Sequence, residues 1–196
     1  HAFDAVTGKQ VWEQKKAGGA NASPVLWRSG DRAFVVCNGG DLTPVNLKTG
    51  EIPWIAQPGG DSTPAIDGNI LVVQSRRPQL GLVCYELSAD GAKQRWHHAM
   101  DALRTQSSPL IHGGQVYLMD DNVHSCFNLA DGKIAWQQPA QSTISSPVLA
   151  DGKLFIMANN SNNVLMLAAN PAAYTELGKG IVRAQWVPSP CIANGR

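Results

Sequence analysis

Residues 126–136 read Cys126-Phe127-Asn128-Leu129-Ala130-Asp131-Gly132-Lys133-Ile134-Ala135-Trp136: a short apolar run, a polar turn closed by glycine, and a second run ending on tryptophan. Residues 2–12, Ala2-Phe3-Asp4-Ala5-Val6-Thr7-Gly8-Lys9-Gln10-Val11-Trp12, keep the same spacing. Residues 45–54, Val45-Asn46-Leu47-Lys48-Thr49-Gly50-Glu51-Ile52-Pro53-Trp54, keep it again, with Asn46 where the first copy has Asp4. A further copy runs from Cys84-Tyr85-Glu86 through Asp90-Gly91 to Trp96, with one extra residue on each side of its glycine. Trp12, Trp54, Trp96 and Trp136 therefore stand 42, 42 and 40 residues apart. A period of that length is the mark of a repeat architecture.

Each unit carries a second marker: Ser23-Pro24, Thr63-Pro64, Ser108-Pro109, Ser146-Pro147 and Ser189-Pro190. Behind it come an apolar run, a glycine turn and another apolar run, as in Val148-Leu149-Ala150, Asp151-Gly152-Lys153 and Leu154-Phe155-Ile156-Met157. Gly30, Gly68, Gly114 and Gly195 hold the matching turn elsewhere. Short apolar runs joined by glycine-containing turns are β-hairpin signals, so each unit predicts a four-stranded antiparallel meander. Such a sheet is apolar on both faces and must stack on its neighbours, and radial stacking gives a β-propeller. A β-solenoid is the competing geometry, but its turns are usually shorter than about 40 residues.

The fold class is thus all-β, a propeller of four-stranded antiparallel blades. Trp12, Trp54, Trp96, Trp136 and Trp186 read as blade-docking residues, and Gly8, Gly50, Gly91 and Gly132 as the turns that hold the last hairpin against them. The units fall at about 1–12, 13–54, 55–96, 97–136, 137–186 and 187–196, so residues 1–196 form one partial propeller of about four and a half blades. In the last full unit Trp186 follows Trp136 by 50 residues, and an Ala-rich stretch after Pro171 predicts a single helical turn projecting from the blade edge. The chain starts on His1 inside an apparent strand and stops on Arg196 inside a turn, which reads as a piece of a larger propeller.

Composition narrows the function classes. Sixteen Lys and Arg against fifteen Asp and Glu leave a charge of +1, so no overall field recruits nucleic acid or an anionic membrane. Charged residues make up 16% of the chain against roughly 25% in average soluble domains, which excludes a charge-driven disordered chain. Nineteen glycines and twelve prolines fit many turns between short strands. No apolar run reaches the roughly 18 residues of a membrane span, and no basic-then-apolar leader opens the chain.

The A-x-D-x-x-T-G-x-x-x-W unit of residues 2–12, with the Ser-Pro that follows, resembles the tryptophan-docking repeat of the pyrroloquinoline quinone (PQQ)-like propeller superfamily, and the resemblance covers essentially the whole chain. That superfamily includes eight-bladed PQQ-dependent alcohol and glucose dehydrogenases, assembly lipoproteins of the BamB type and many bacterial secreted or periplasmic proteins. The resemblance implies a periplasmic or secreted propeller, usually of eight blades. It does not imply quinone binding, because members without cofactor share the repeat.

A quinoprotein dehydrogenase needs a flat tryptophan under the quinone, a catalytic Asp, and oxygens around a Ca²⁺. Five of six tryptophans belong to the docking motif here, and Trp27, the spare one, reads as strand filler. Asp4, Asn46, Glu86 and Asn128 share one repeat position and read as turn caps. Cys37, Cys84, Cys126 and Cys191 include no vicinal pair; Cys84 and Cys126 sit at equivalent places in adjacent blades, about 10 Å apart, too far for a disulfide. His97 and His98 alternate faces in a strand, and His112 and His124 lack ligand spacing, so no metal is expected. The polar stretch Asn159-Asn160-Ser161-Asn162-Asn163 reads as a hairpin loop.

Arg76-Arg77, in the loop between the second and third strands of its blade, is the sharpest exposed basic feature, and with Arg104 and the 171–180 insertion it marks a candidate partner surface. The expected function is a non-catalytic extracytoplasmic scaffold that binds another protein and the remaining blades of its propeller, without cofactor, nucleic acid or membrane span. The alternative is part of a PQQ- and Ca²⁺-dependent dehydrogenase whose cofactor site lies largely in other blades. A sensor or carbohydrate-associated domain is a third reading.

Overall fold

The computed structural model describes residues 1–19, 21–100, 107–120, 122–140, 145–158, 162–185 and 188–194. Strands and turns make up all of the secondary structure of these residues, and none of them forms a helix that would cross a membrane. Two compact units divide the chain, His1–Ala99 and Met100–Arg196.

In the first unit β1 (Ala2–Phe3) pairs with β2 (Gln10–Trp12). A three-stranded sheet follows, β3 (Val25–Ser29), β4 (Arg32–Asn38) and β5 (Leu42–Asn46), and then a four-stranded sheet, β6 (Ala65–Asp67), β7 (Ile70–Gln74), β8 (Leu82–Ser88) and β9 (Gly91–His98). The second unit holds two four-stranded sheets. One is β10 (Leu110–His112), β11 (Gln115–Met119), β12 (Val123–Asn128) and β13 (Ile134–Pro139). The other is β14 (Val148–Ala150), β15 (Lys153–Ala158), β16 (Asn163–Ala168) and β17 (Glu176–Ile181). All pair antiparallel in chain order, the meander that the repeat predicts.

The repeat is also a repeat of register. Trp12 lies opposite Ala2, Trp96 opposite Cys84 and Trp136 opposite Cys126, and the ladder bulges immediately after each of Ala2, Cys84 and Cys126. A bulge at a fixed place bends the outer hairpin the same way each time, and the tryptophan stays opposite it even in the copy around Gly91, whose two extra residues lengthen the turn between them. The Ser/Thr-Pro marker has a physical cause as well. The Ser23 N–H donates to Thr63 Oγ1 at 3.0 Å in the first unit; in the second, Ser108 N–H donates to Ser146 Oγ at 3.1 Å and Ser146 N–H to Ser189 Oγ at 3.0 Å. In these three pairs the hydroxyl of one repeat satisfies the backbone of the repeat before it.

Two sheets depart from the expectation. Between residues 13 and 56 the fourth strand is reduced to a bridge, Leu42 N–H to Ala56 O at 2.9 Å and Ala56 N–H to Leu42 O at 3.0 Å, with Asn46 N–H reaching Glu51 O at 2.8 Å. Leu42 and Asn46 point their N–H groups to that side, so Pro44 midway between them would as well, and proline has none to give. The missing rung breaks the ladder.

In the last sheet the helical turn expected after Pro171 is corrected. Asn170 Oδ1 accepts from Ala172 N–H at 2.9 Å and Ala168 N–H donates to Thr175 O at 2.9 Å, a side-chain-capped turn that delivers the chain into β17. Five residues are too few to nucleate a helix against such local competition. The register position held by Trp136 in the preceding sheet falls here on Gly178, opposite Met166; Trp186 lies outside the described residues.

Packing follows the alternation of the strands. Trp27, Phe34, Leu71, Val73, Val83 and Leu87 anchor the core of the first unit, and Tyr117, Met119, Cys126, Leu154, Ile156 and Leu167 that of the second. Gly50 is held against the docked indole: φ is +76°, and a Cβ there would lie 2.8 Å from Trp12 Cδ2. Gly50→Ala is expected to destabilise the chain by about 2 kcal/mol, from left-handed strain together with displacement of the indole. Urea unfolding followed by far-UV circular dichroism measures it, and a loss below about 0.5 kcal/mol would show that the turn relaxes freely.

Candidate functional site

The repeated tryptophans reach from one sheet to the outer turn of the next. Trp12 Nε1 donates to Leu47 O at 3.0 Å, Trp54 Nε1 to Ser88 O at 3.1 Å and, in the second unit, Trp136 Nε1 to Asn170 O at 2.8 Å. Trp96 is buried on β9. The acceptor turns are built by the side chain at their first position. Asp4 Oδ1 accepts from the N–H groups of Val6 and Thr7 and from the Thr7 hydroxyl, Asn46 Oδ1 from Lys48 and Thr49 N–H, and Asn128 Oδ1 from Ala130 N–H. These hydrogen bonds hold the Asp4 carboxyl below the usual carboxylate range.

Glu86 does not join this series. It lies within the ladder, opposite Ile70 and Lys93, and Ser88 takes the turn position, with Ser88 Oγ accepting from Asp90 N–H at 3.3 Å. The extra residues around Gly91 explain the shift: Gly8, Gly50 and Gly132 have positive φ in their turns, whereas Gly91 opens β9 without one.

The Arg76–Arg77 loop joins β7 to β8 at the end of the sheet opposite those turns. Ser75 N–H donates to Gly81 O at 2.7 Å, Arg77 N–H to Ser75 Oγ at 3.0 Å, and Leu80 and Gly81 N–H both to Arg77 O. Arg76 is not free: its Nη2 pairs with Asp61 Oδ1, so one of the two predicted cations is engaged within the chain. Arg77 is exposed and makes no ion pair among the described residues. Arg104 lies outside those residues.

Asp61 was not singled out from the sequence. It leaves a tightly held segment in which buried Asn38 donates through Nδ2 to Ser62 O and accepts through Oδ1 from Gly60 N–H, both at 2.7 Å, while the Tyr85 hydroxyl donates to Pro58 O at 3.1 Å. Gly59-Gly60-Asp61 ahead of Thr63-Pro64 was the available signal, since a Cβ at Gly60 would sit 1.8 Å from Gln74 O.

Trp27 is 1% exposed, its ring stacks on Phe34 with centroids 5.0 Å apart, Trp54 meets it edge-on at 6.2 Å, and its Nε1 donates to Asn69 Oδ1 at 3.1 Å. No open face remains for a quinone. Among the described residues no group of three or more His, Cys, Asp or Glu is placed to hold a metal ion. Cys37, Cys84, Cys126 and Cys191 are free thiols; burial pushes Cys84 and Cys126 up to about 11, which keeps them protonated and unreactive. Gln94 Nε2 donates to His97 Nδ1 at 3.2 Å. Of the polar stretch 159–163, Asn159, Asn160 and Ser161 lie outside the described residues, and Asn163 belongs to β16.

Antiparallel meanders repeated along an all-β chain, with Trp12, Trp54 and Trp136 each bonded to a turn of the following sheet, are those of a β-propeller protein. The chain belongs to the PQQ-like propeller family whose model is described as outer membrane protein assembly factor BamB, matched over residues 1–167. A comparison with curated proteins finds no match. Among solved structures it is similar to BamB from Moraxella catarrhalis, with a TM-score of 0.64 at 15% identity over 85% of this chain and 55% of that one. It is similar also to quinohemoprotein alcohol dehydrogenases. The one from Pseudomonas putida gives a TM-score of 0.66 at 13% identity over 92% of this chain and 38% of that one. The one from Comamonas testosteroni gives 0.59 at 10% over 81% and 34%. The chain thus spans about half the length of that BamB. At these identities the likeness is one of fold.

Proposed function

We propose that the chain is a non-catalytic, extracytoplasmic propeller scaffold that binds another protein. The observation that carries this reading is the match to an assembly-factor family over residues 1–167. The expenditure of the aromatic side chains on blade docking supports it, because Trp27, the spare tryptophan, has no free face. Arg77, with Arg76 beside it and Arg104, belongs in this reading to the partner surface. A periplasmic or secreted location follows from the same kinship, as does association with further blades. No cofactor is required.

The full chain incubated with PQQ and Ca²⁺ is expected to bind no stoichiometric quinone and to reduce no dye with alcohols or aldose sugars. Stoichiometric quinone absorbance with dye reduction would overturn the scaffold reading in favour of a dehydrogenase segment. Arg76→Ala combined with Arg77→Ala is expected to lose the partner that the unaltered chain captures from a periplasmic extract. Equal capture removes this loop from the contact surface.

A further inference from the structure

We infer that a groove of about 540 Å³ in the first unit is a docking site for an acidic, extended peptide segment of a partner protein, with Lys16 and Arg32 receiving its carboxylates. One wall is the chain leaving β2, and the other is the start of β4 together with the turn after β5. The first wall is stapled in place. Trp12 is bonded to Leu47 O, Gln14 Nε2 donates to Gly50 O at 2.9 Å, and Gln14 Oε1 accepts from Lys16 N–H at 2.9 Å. The backbone that carries Lys16 is therefore fixed against the turn opposite.

Arg32 is placed as firmly. Its guanidinium carbon lies 5.9 Å from the centroid of Phe34, whose ring is buried, so the planar cation rests on an aromatic face at the groove. Two cations and one carboxylate, Glu51, line the groove. Glu51 Oε2 already accepts from the Thr49 hydroxyl at 3.1 Å, and neither Lys16 nor Arg32 forms an ion pair among the described residues. The groove is thus net positive with both positive groups available, and its complement is an anion.

The rest of the lining selects a peptide over a small anion. Ile52 and Pro53 give the groove an apolar stretch beside its charges, and its volume is in the range of ligand sites rather than of a single oxyanion. Pro53 lacks an N–H and Pro44 leaves a rung of the ladder unmade, so this edge is ill suited to adding a strand. Recognition falls to side chains: carboxylates on the two cations and an apolar residue on Ile52. These residues are separate from the Arg76–Arg77 loop, so either surface can fail without the other.

The test uses a fluorescein-labelled hexapeptide of alternating glutamate and leucine, titrated into the full chain and followed by anisotropy, beside its lysine–leucine counterpart. Saturable binding of the acidic peptide alone is expected, weakening as salt rises from about 25 to 250 mM. Lys16→Glu with Arg32→Glu should weaken it at least tenfold, while Arg76→Ala with Arg77→Ala should leave it unchanged. Glu51→Gln should tighten it about two- to threefold, a gain that misfolding does not produce. Equal binding of the basic peptide, an affinity unmoved by the double reversal, or displacement by inorganic phosphate at concentrations comparable to the peptide would overturn the proposal.

Discussion

Trp136→Ala is expected to lower the unfolding free energy by about 3–4 kcal/mol, the largest single-residue effect foreseen in the second unit. Three contacts disappear together. The indole meets Tyr174 edge-on at 5.3 Å with an interplanar angle of 80°, lies 6.2 Å from Tyr117, and donates to Asn170 O at 2.8 Å. Truncation removes the ring that bridges two sheets and leaves a carbonyl without its donor, a cavity term plus about 1 kcal/mol of lost hydrogen bonding. Trp136→Phe keeps most of the apolar area and loses the N–H, so about 1–1.5 kcal/mol is expected. In a chain of this size the alanine variant should melt about 6–16 °C lower. Calorimetry and urea unfolding check the pair. A drop below about 1 kcal/mol for the alanine variant would deny Trp136 its docking role.

The repeat was legible because its residues answer to demands that recur along the chain. A tryptophan opposite a bulge, a turn capped by Asp or Asn, and a hydroxyl before proline each serve one contact repeated along the chain. What escaped depended on contacts that occur once. The stretch after Pro171 has helical composition, but Tyr174 is drawn to Trp136 and His124, some 40 and 50 residues back, and the chain follows its side chain. Glu86 looked like Asn128 by spacing from its cysteine, yet the two insertions moved the turn to Ser88. Pro44 was readable as a strand breaker, but only the register shows that its missing N–H faces the fourth strand. The candidate sites show the same division. The loop carrying Arg76 and Arg77 was placed correctly between two strands, whereas its tie to Asp61 and the meeting of Lys16 with Arg32 depend on how separate segments pack.

His124 gives the second large effect, an acid sensitivity with a defined window. It sits on β12 opposite Met119 of β11 and Gln138 of β13, is 1% exposed, and has Nδ1 3.2 Å from the Tyr174 hydroxyl. Burial pushes its pKa down from 6.5 to about 4, so the folded chain holds the imidazole neutral. Between those values the unfolded chain binds the proton and the folded chain does not. Stability contributed by the neutral ring is therefore complete above about pH 6.5 and is lost as the pH falls toward about 4. At 1.36 kcal/mol per pKa unit the full span is about 3 kcal/mol, of which about 2 kcal/mol falls between pH 6.5 and 5. His98, whose pKa is also lowered, by burial first and then by His97, adds a contribution of the same sign. Asp4, Asp131 and Asp151 are held below the ordinary carboxylate range by their hydrogen bonds, so their losses begin only in more acid solution. Urea unfolding at pH 7.5, 6.5, 5.5 and 5.0 isolates the imidazole when His124→Gln is run beside the unaltered chain. The variant starts lower at pH 7.5, since it gives up packing against Tyr174, but its curve should fall less steeply than the other, keeping only the contribution of His98. Parallel curves would place the acid-sensitive group elsewhere; convergence toward pH 5 would mean that the contact between the Tyr174 turn and β12 holds only while His124 stays uncharged.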